Sequence, residues 1–253
     1  MNLDRRTFLK LASLGLLAVA AKPAIDLLSR PEIVRALGLE NTIHGRLAMA
    51  VDLKACSAEA GCRDCVLACH SVHNVPDIGT RKEEVKWIWE ATYGQAFTGQ
   101  EIQYAPLKDA SVLLLCNHCD NPPCVRVCPT QATWRRDDGI VMMDYHRCIG
   151  CRYCMAACPY GSRSFNWRDP VPYIKDINLN YPSRTKGVVE KCNFCEERLA
   201  LGLPPACVEA CKAGALTFGE LRPGTDIQRV LSQNFALTRK AELGTHPQVY
   251  YIV

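Results

Sequence analysis

The sequence predicts an α+β fold of two small cysteine-rich units, one nested inside the other, and three observations carry that prediction. All 16 cysteines of the 253 residues fall into four quartets, each closing on Cys-x3-Cys, with none left over. They are Cys56, Cys62, Cys65 and Cys69; Cys116, Cys119, Cys124 and Cys128; Cys148, Cys151, Cys154 and Cys158; and Cys192, Cys195, Cys207 and Cys211. One phrase also occurs twice: Leu47-Ala-Met-Ala-Val-Asp52 places Asp52 four residues before Cys56, and Ile140-Val-Met-Met-Asp144 places Asp144 four residues before Cys148. Finally, Cys211-Lys-Ala-Gly-Ala215 parallels Cys128-Pro-Thr-Gln-Ala132, each leading into a short strand-like stretch. The last quartet therefore ends where a hairpin begins and the first quartet starts where one ends. Residues of about 46–52 should then pair with 215–219 and close an outer unit around an inner one.

The run Cys148-Ile-Gly-Cys151-Arg-Tyr-Cys154-Met-Ala-Ala-Cys158-Pro159 resembles the ligand run of a bacterial-type ferredoxin. Three cysteines two residues apart wrap one cubane, and the fourth opens a segment that points away. In two-cluster ferredoxins that fourth cysteine ligates the neighbouring cluster. The crossing rule gives Cys116, Cys119, Cys124 and Cys158 as one ligand set and Cys148, Cys151, Cys154 and Cys128 as a second. Applied to the outer quartets, it gives Cys56, Cys62, Cys65 and Cys211 as a third and Cys192, Cys195, Cys207 and Cys69 as a fourth. The expectation is two ferredoxin-like units, the inner one (106–168) inserted between the halves of the outer one (46–105 and 169–220). They would hold four [4Fe-4S] clusters with all sixteen cysteines as iron ligands. Cys56 and Cys62 are separated by five residues where the regular run has two, which leaves three or four clusters open. Gly61 can turn that longer loop back to the cubane.

Residues 1–22 are expected to be a twin-arginine export signal. Arg5-Arg6-Thr7-Phe8-Leu9-Lys10 precedes the apolar stretch 11–21, and Ala18-Val19-Ala20 offers a small-residue cleavage site. That stretch falls short of the ~20 residues a membrane span needs, so cleavage and retention as an anchor both stay open. Residues 23–45, punctuated by Pro23, Pro31, Gly38 and Gly45, read as a leader segment or a clamp on a partner. Between the first two quartets, Glu84-Val-Lys-Trp87-Ile-Trp89-Glu90 alternates as a strand does, with Trp87 and Trp89 on one face. His70 and His73 read as surface histidines or partner contacts, since no complete histidine ligand set accompanies them. Inside the inner unit, Thr133-Trp134-Arg135 and residues 140–143 should form a hairpin through Asp137-Asp138-Gly139. The C-terminal tail, 221–253, ends in Val249-Tyr-Tyr-Ile-Val253, a strand or extended arm that docks on a partner or packs against the body.

The formal net charge of +4 counts every thiol as neutral. Each oxidised cluster with its thiolates carries about −2, so four would bring the chain to roughly −4, and no nucleic-acid affinity is read from the charge. Arg63, Arg126, Arg147, Arg152, Lys191 and Arg198 stand inside the quartets, where they offset cluster charge or remain ordinary solvated cations. Disulfides are disfavoured because the twin-arginine route carries proteins already folded around their cofactor. Structural zinc is disfavoured because zinc ribbons use separated Cys-x2-Cys pairs. No activated nucleophile or carboxylate pair placed for acid–base chemistry is in view. The chain is therefore expected to move electrons by one-electron hops and not to be an enzyme with its own substrate site.

The four-quartet order resembles the electron-transfer iron–sulfur subunits that accompany molybdopterin oxidoreductases or quinone-reactive membrane subunits. Within that family several stretches resemble the periplasmic subunits of sulfite-reduction-associated membrane complexes. They include His73-Asn-Val-Pro-Asp77, Cys116-Asn-His-Cys-Asp-Asn-Pro-Pro-Cys124, Thr185-Lys-Gly-Val-Val-Glu-Lys-Cys-Asn-Phe-Cys195 and residues 84–90, 138–170 and 242–253. The likeness implies a place on the outer face of the cytoplasmic membrane, against a multi-span quinone-reactive subunit and a multihaem cytochrome c, in dissimilatory sulfur metabolism. The alternative it leaves is the electron-transfer subunit of a molybdopterin-dependent reductase acting on polysulfide or tetrathionate, or of a nitrite reductase system.

Overall fold

A four-stranded sheet brings together the first and the last strands of the unit formed by residues 45–253. The computed structural model describes residues 45–253 except 60, 100–104 and 109; the expected export signal, and the leader up to residue 44, lie outside the described residues. Ala48, Met49, Ala50 and Val51 are apolar in succession rather than alternately, as in a strand covered on both faces. Strand β1 (Leu47–Asp52) is buried in this way throughout its middle. Strand β8 (Leu216–Glu220) pairs with it antiparallel, Met49 opposite Phe218 and Val51 opposite Leu216, so the stretches expected to meet do so.

The tail supplies the other neighbour of β1. Strand β10 (Val249–Ile252) runs parallel to it, Met49 opposite Val249, and β9 (Ala236–Leu237) pairs with β10 at the edge. Of the two readings of the tail, packing against the body is the one found: Tyr251 is fully buried among core residues. On one face of the sheet Ala48 and Ala50 pack with Ile252 against Ile227, from the helix Asp226–Gln233. Small residues there let the helix come close to the strand. On the opposite face Met49 and Val51 join the main core with Leu53, Val66, Trp87 and Tyr251.

Three two-stranded antiparallel pairs complete the strand inventory of the described residues. They are β2 (Ile88–Thr92) with β3 (Ser111–Leu115), β4 (Thr133–Arg135) with β5 (Val141–Met143), and β6 (Ser164–Phe165) with β7 (Val189–Glu190). The β4–β5 hairpin is the one the Asp-Gly turn implied. The expectation for the tryptophans needs correcting, because β2 begins at Ile88 and excludes Trp87. Trp87 is wholly buried, stacked on His73 and bonded through Nε1 to Glu190, whereas Trp89 is only half-buried beneath Lys86. A hydrogen-bond partner inside the core drew the first indole out of the alternation.

The insertions following Cys69 and Cys158 fasten to one another. Asn74, in the left-handed region at φ 52°, donates to the carbonyls of Asn178 and Tyr181 at 2.9 and 2.6 Å and accepts from the Asn178 N–H at 2.7 Å. Asparagine is tolerated in that conformation better than most residues. No helix among the described residues is long and apolar enough to cross a membrane.

Candidate metal centres

Two of the four cysteine loops, those of Cys56 and Cys148, are launched by the aspartate that the sequence repeats. Asp52 ends β1 and caps the helix Leu53–Ala58, its Oδ1 accepting from the Ala55 N–H at 2.9 Å. Asp144, just beyond β5, accepts from the N–H groups of His146 and Arg147 at 2.8 and 3.3 Å. In both places a carboxylate satisfies backbone donors that a chain leaving its sheet would otherwise orphan. The loop after Asp144 then needs Gly150, at φ +68°, where an added Cβ would lie 2.3 Å from the Gly187 carbonyl oxygen. A backbone atom cannot yield as a side chain can, so Gly150→Ala is expected to displace the Cys148–Cys151 loop. The measurement is iron retention: the Cys148 group should lose its metal while the other groups keep theirs.

The thiols converge in four groups. Cys116, Cys119, Cys124 and Cys158 line one cavity together with Tyr160 and Arg163. Cys128, Cys148, Cys151 and Cys154 line a second, with Met143 and Val189. Cys56, Cys62, Cys65 and Cys211 line a third. There the longer Cys56–Cys62 spacing is taken up by the helix Leu53–Ala58 and by Gly61 at φ +74°. Cys69, Cys192, Cys195 and Cys207 are all buried and form the fourth, in which the Cys69 thiol feels Cys192, Cys207 and Cys195. Every group thus takes three cysteines from one part of the chain and one from elsewhere.

The electrostatics state what such groups require. Burial, with the Cys56 and Cys211 thiols adding to it, pushes the Cys65 thiol up to about 12. Burial and Cys116 do the same to Cys119, also to about 12. Burial and neighbouring thiols push Cys69 and Cys207 well above the ordinary thiol value. Four thiols so placed cannot all ionise unless positive charge enters among them, and bound iron provides it. Cys128 goes the other way: burial would raise it, but the Thr130 hydroxyl and the N–H groups of Thr133, Ala132 and Thr130 hold it below the ordinary value. The donor sets therefore fit four-thiolate iron–sulfur clusters.

The groups also adjoin one another in succession. Cys69 feels Cys65, Cys192 feels Cys116, and Cys154 feels Cys124. The order is the Cys56 group, the Cys69 group, the Cys116 group and the Cys148 group.

Two residues beside these groups, His73 and Arg163, escaped sequence reasoning, and a third, Lys191, is more deeply buried than its reading as a loop cation implied. His73 is not the surface histidine expected: it is wholly buried, with Nδ1 2.9 Å from the Cys69 carbonyl and Nε2 2.8 Å from Glu197. Burial lowers its imidazolium, but hydrogen bonds to Cys195 and Glu197 outweigh that and raise it to about 9. His73, Cys195 and Glu197 present ligand atoms within 4.8 Å of one another; since Cys195 belongs to the fourth group, this trio is the flank of that group. Lys191 read as one loop cation among several, yet it is 1% exposed. Arg163, 4% exposed, donates from Nη2 to the Cys124 sulfur at 3.2 Å and to Thr133 Oγ1 at 2.8 Å. Nothing in Gly-Ser-Arg163-Ser marks it. By contrast Arg147 pairs with Asp144 and Arg198 with Glu209 on the surface, which is the ordinary fate of a loop cation.

Comparison with known proteins bears on the same residues. Residues 111–221 match the model of the 4Fe-4S dicluster domain. The chain is 39% identical to the iron–sulfur subunit 1 of an Hdr-like menaquinol oxidoreductase from Archaeoglobus fulgidus, over 98% of this chain and 97% of that one. It is 35% identical to the iron–sulfur cluster-binding subunit of menaquinone reductase from Nitratidesulfovibrio vulgaris, over 81% and 87% of the two chains. It is 38% identical to a subunit of tetrathionate reductase from Salmonella typhimurium, over 84% and 74%.

Proposed function

We propose that this chain, which belongs to the family of 4Fe-4S electron-transfer subunits of quinone-linked oxidoreductase complexes, conducts electrons between a quinone-reactive membrane subunit and a multihaem cytochrome c. The complex would be a respiratory one of sulfur metabolism, and the chain its DsrO-type subunit, exported by the twin-arginine route to the outer face of the cytoplasmic membrane. The single observation that carries the reading is the succession of four four-cysteine groups. When bound, [4Fe-4S] clusters supply one-electron centres at potentials that their surroundings set.

The chain's own part is to bind, space and seal. Cysteines from distant segments hold each site, so the inner and outer halves are fixed together by their ligands. Hairpin β4–β5 and Val189 wall off the Cys148 group, and the main core closes over the Cys69 and Cys192 thiols. The half-buried Cys56, Cys65 and Cys211 and the exposed Cys62 open one end of the succession to a partner, and the half-buried Cys128, Cys148 and Cys151 open the other. An exit at each end is what a conductor between two docked proteins needs.

Anaerobic purification from native membranes tests this directly. The expected result is ~16 iron atoms and as much sulfide per chain, as four cubanes require, with a multi-span subunit and a multihaem cytochrome in the same fraction. A colourless, iron-free chain sinks the proposal. Likeness to subunits of tetrathionate reductase and of polysulfide reductase supports a second reading, in which the partner is a molybdopterin-dependent catalytic subunit. Co-purification with such a subunit, and without a cytochrome, would select it.

A further inference from the structure

Two buried cations meet at one of the four groups. Arg163 lines the cavity of Cys116, Cys119, Cys124 and Cys158, and its Nη2 donates to the Cys124 sulfur at 3.2 Å. Lys191 approaches the same cavity from behind: its Nζ donates to the carbonyl of Val141, a residue of that cavity wall, and to the Cys192 carbonyl at 2.7 Å. Arg163 therefore stands between the Cys116 and Cys148 groups, and Lys191 between the Cys116 and Cys69 groups.

Neither cation has a carboxylate partner among the described residues. The contrast is Arg184, equally buried, which is paired with Glu190. A buried charge without a counter-charge is costly, so the compensation for Arg163 and Lys191 has to come from ionised thiolates. Burial works against both cations: it lowers the Lys191 ammonium, as does Arg163, against the pull of the Cys116, Cys192 and Cys124 thiols, while at Arg163 the Cys124, Cys154 and Cys116 thiols outweigh it. Positive charge close by, and hydrogen bonds to the sulfurs, favour the electron-rich form of a cluster and raise its potential.

We infer that Arg163 and Lys191 make the cluster of Cys116, Cys119, Cys124 and Cys158 the highest-potential centre of the series, an electron well in its interior rather than at either end. The inference rests on the reading that each quartet holds a cluster. Both residues are positioning residues for that cluster, Arg163 through a ligand sulfur and Lys191 through space.

The test is a potentiometric titration followed by electron paramagnetic resonance on the complex isolated anaerobically, after iron and sulfide have been counted. Wild type is compared with Arg163→Gln, Lys191→Met and Arg163→Lys. The expected result is that the centre reduced first in wild type moves to lower potential in both neutral variants, more than any other centre does. Arg163→Lys should restore part of the shift. A merely structural role would change the iron count and leave the potential of the remaining centres alone. A highest-potential centre that stays put in a fully loaded Lys191→Met or Arg163→Gln overturns the inference. Should Arg163→Gln lose iron, Lys191→Met, which touches no ligand sulfur, decides by the same criterion. Wild-type protein without iron overturns the underlying reading instead, so the two failures are told apart.

Discussion

Cys158→Ala is expected to empty the group of Cys116, Cys119 and Cys124 and to leave the group of Cys148, Cys151 and Cys154 loaded, although Cys158 belongs to the second run by sequence. The backbone dictates this. The helix Tyr153–Ala157 ends at Cys158, which turns extended at φ −80° and ψ 109°, and Pro159 keeps the chain from continuing as helix. The side chain is thereby delivered to the cavity it shares with Cys119 and Tyr160. Cys128→Ala should do the converse and empty the Cys148 group. Each variant should lose about four iron atoms per chain, the content of one cubane, with the lost resonance signal differing between them. Loss of the same signal in both variants would refute the crossed assignment. Because the groups conduct in series, Cys158→Ala should also abolish electron transfer across the chain.

Why some of this was legible in the sequence follows from the range over which each constraint acts. Which cysteines can share a cavity depends on loop reach, and a Cys-x2-Cys loop has few ways to fold. The pairing of β1 with β8 followed from the repeated strand-and-aspartate phrase, which fixes where a hairpin starts and stops. The parallel seat of β10 was not legible, since Val-Tyr-Tyr-Ile suits the edge of any sheet and its partner lies at the far end of the chain. The buried polar residues were invisible for a related reason: His73, Arg163 and Lys191 are ordinary loop residues by local pattern, and only tertiary contact removes them from water. Trp87 misled because alternation describes a half-exposed strand, and here a buried carboxylate claims the indole N–H.

That carboxylate is the place where one side chain should matter most to stability. Glu190 accepts from Trp87 Nε1 at 2.7 Å and from Arg184 Nε at 2.6 Å, and also takes the Asn166 amide. Arg184 in turn donates to the carbonyls of His73 and Asn74, holding the turn that follows Cys69. Both members of the pair have wholly buried side chains. Glu190→Ala would leave a guanidinium in the core with no counter-charge and an indole N–H with no acceptor, and is expected to cost about 3–5 kcal/mol. Anaerobic urea denaturation measures it. Replacing both partners with apolar residues, Glu190→Leu with Arg184→Met, should cost less than the single change, because no orphaned charge remains. If the single variant is no worse than the double, the pair is not what holds this region. The loss should also have a direction. Glu190 lies on β7, directly before Lys191 and Cys192, and Arg184 grips the chain just past Cys69. Loosening the pair therefore frees two ligands of one group, and the Cys69–Cys192–Cys195–Cys207 site should give up its iron before the other three.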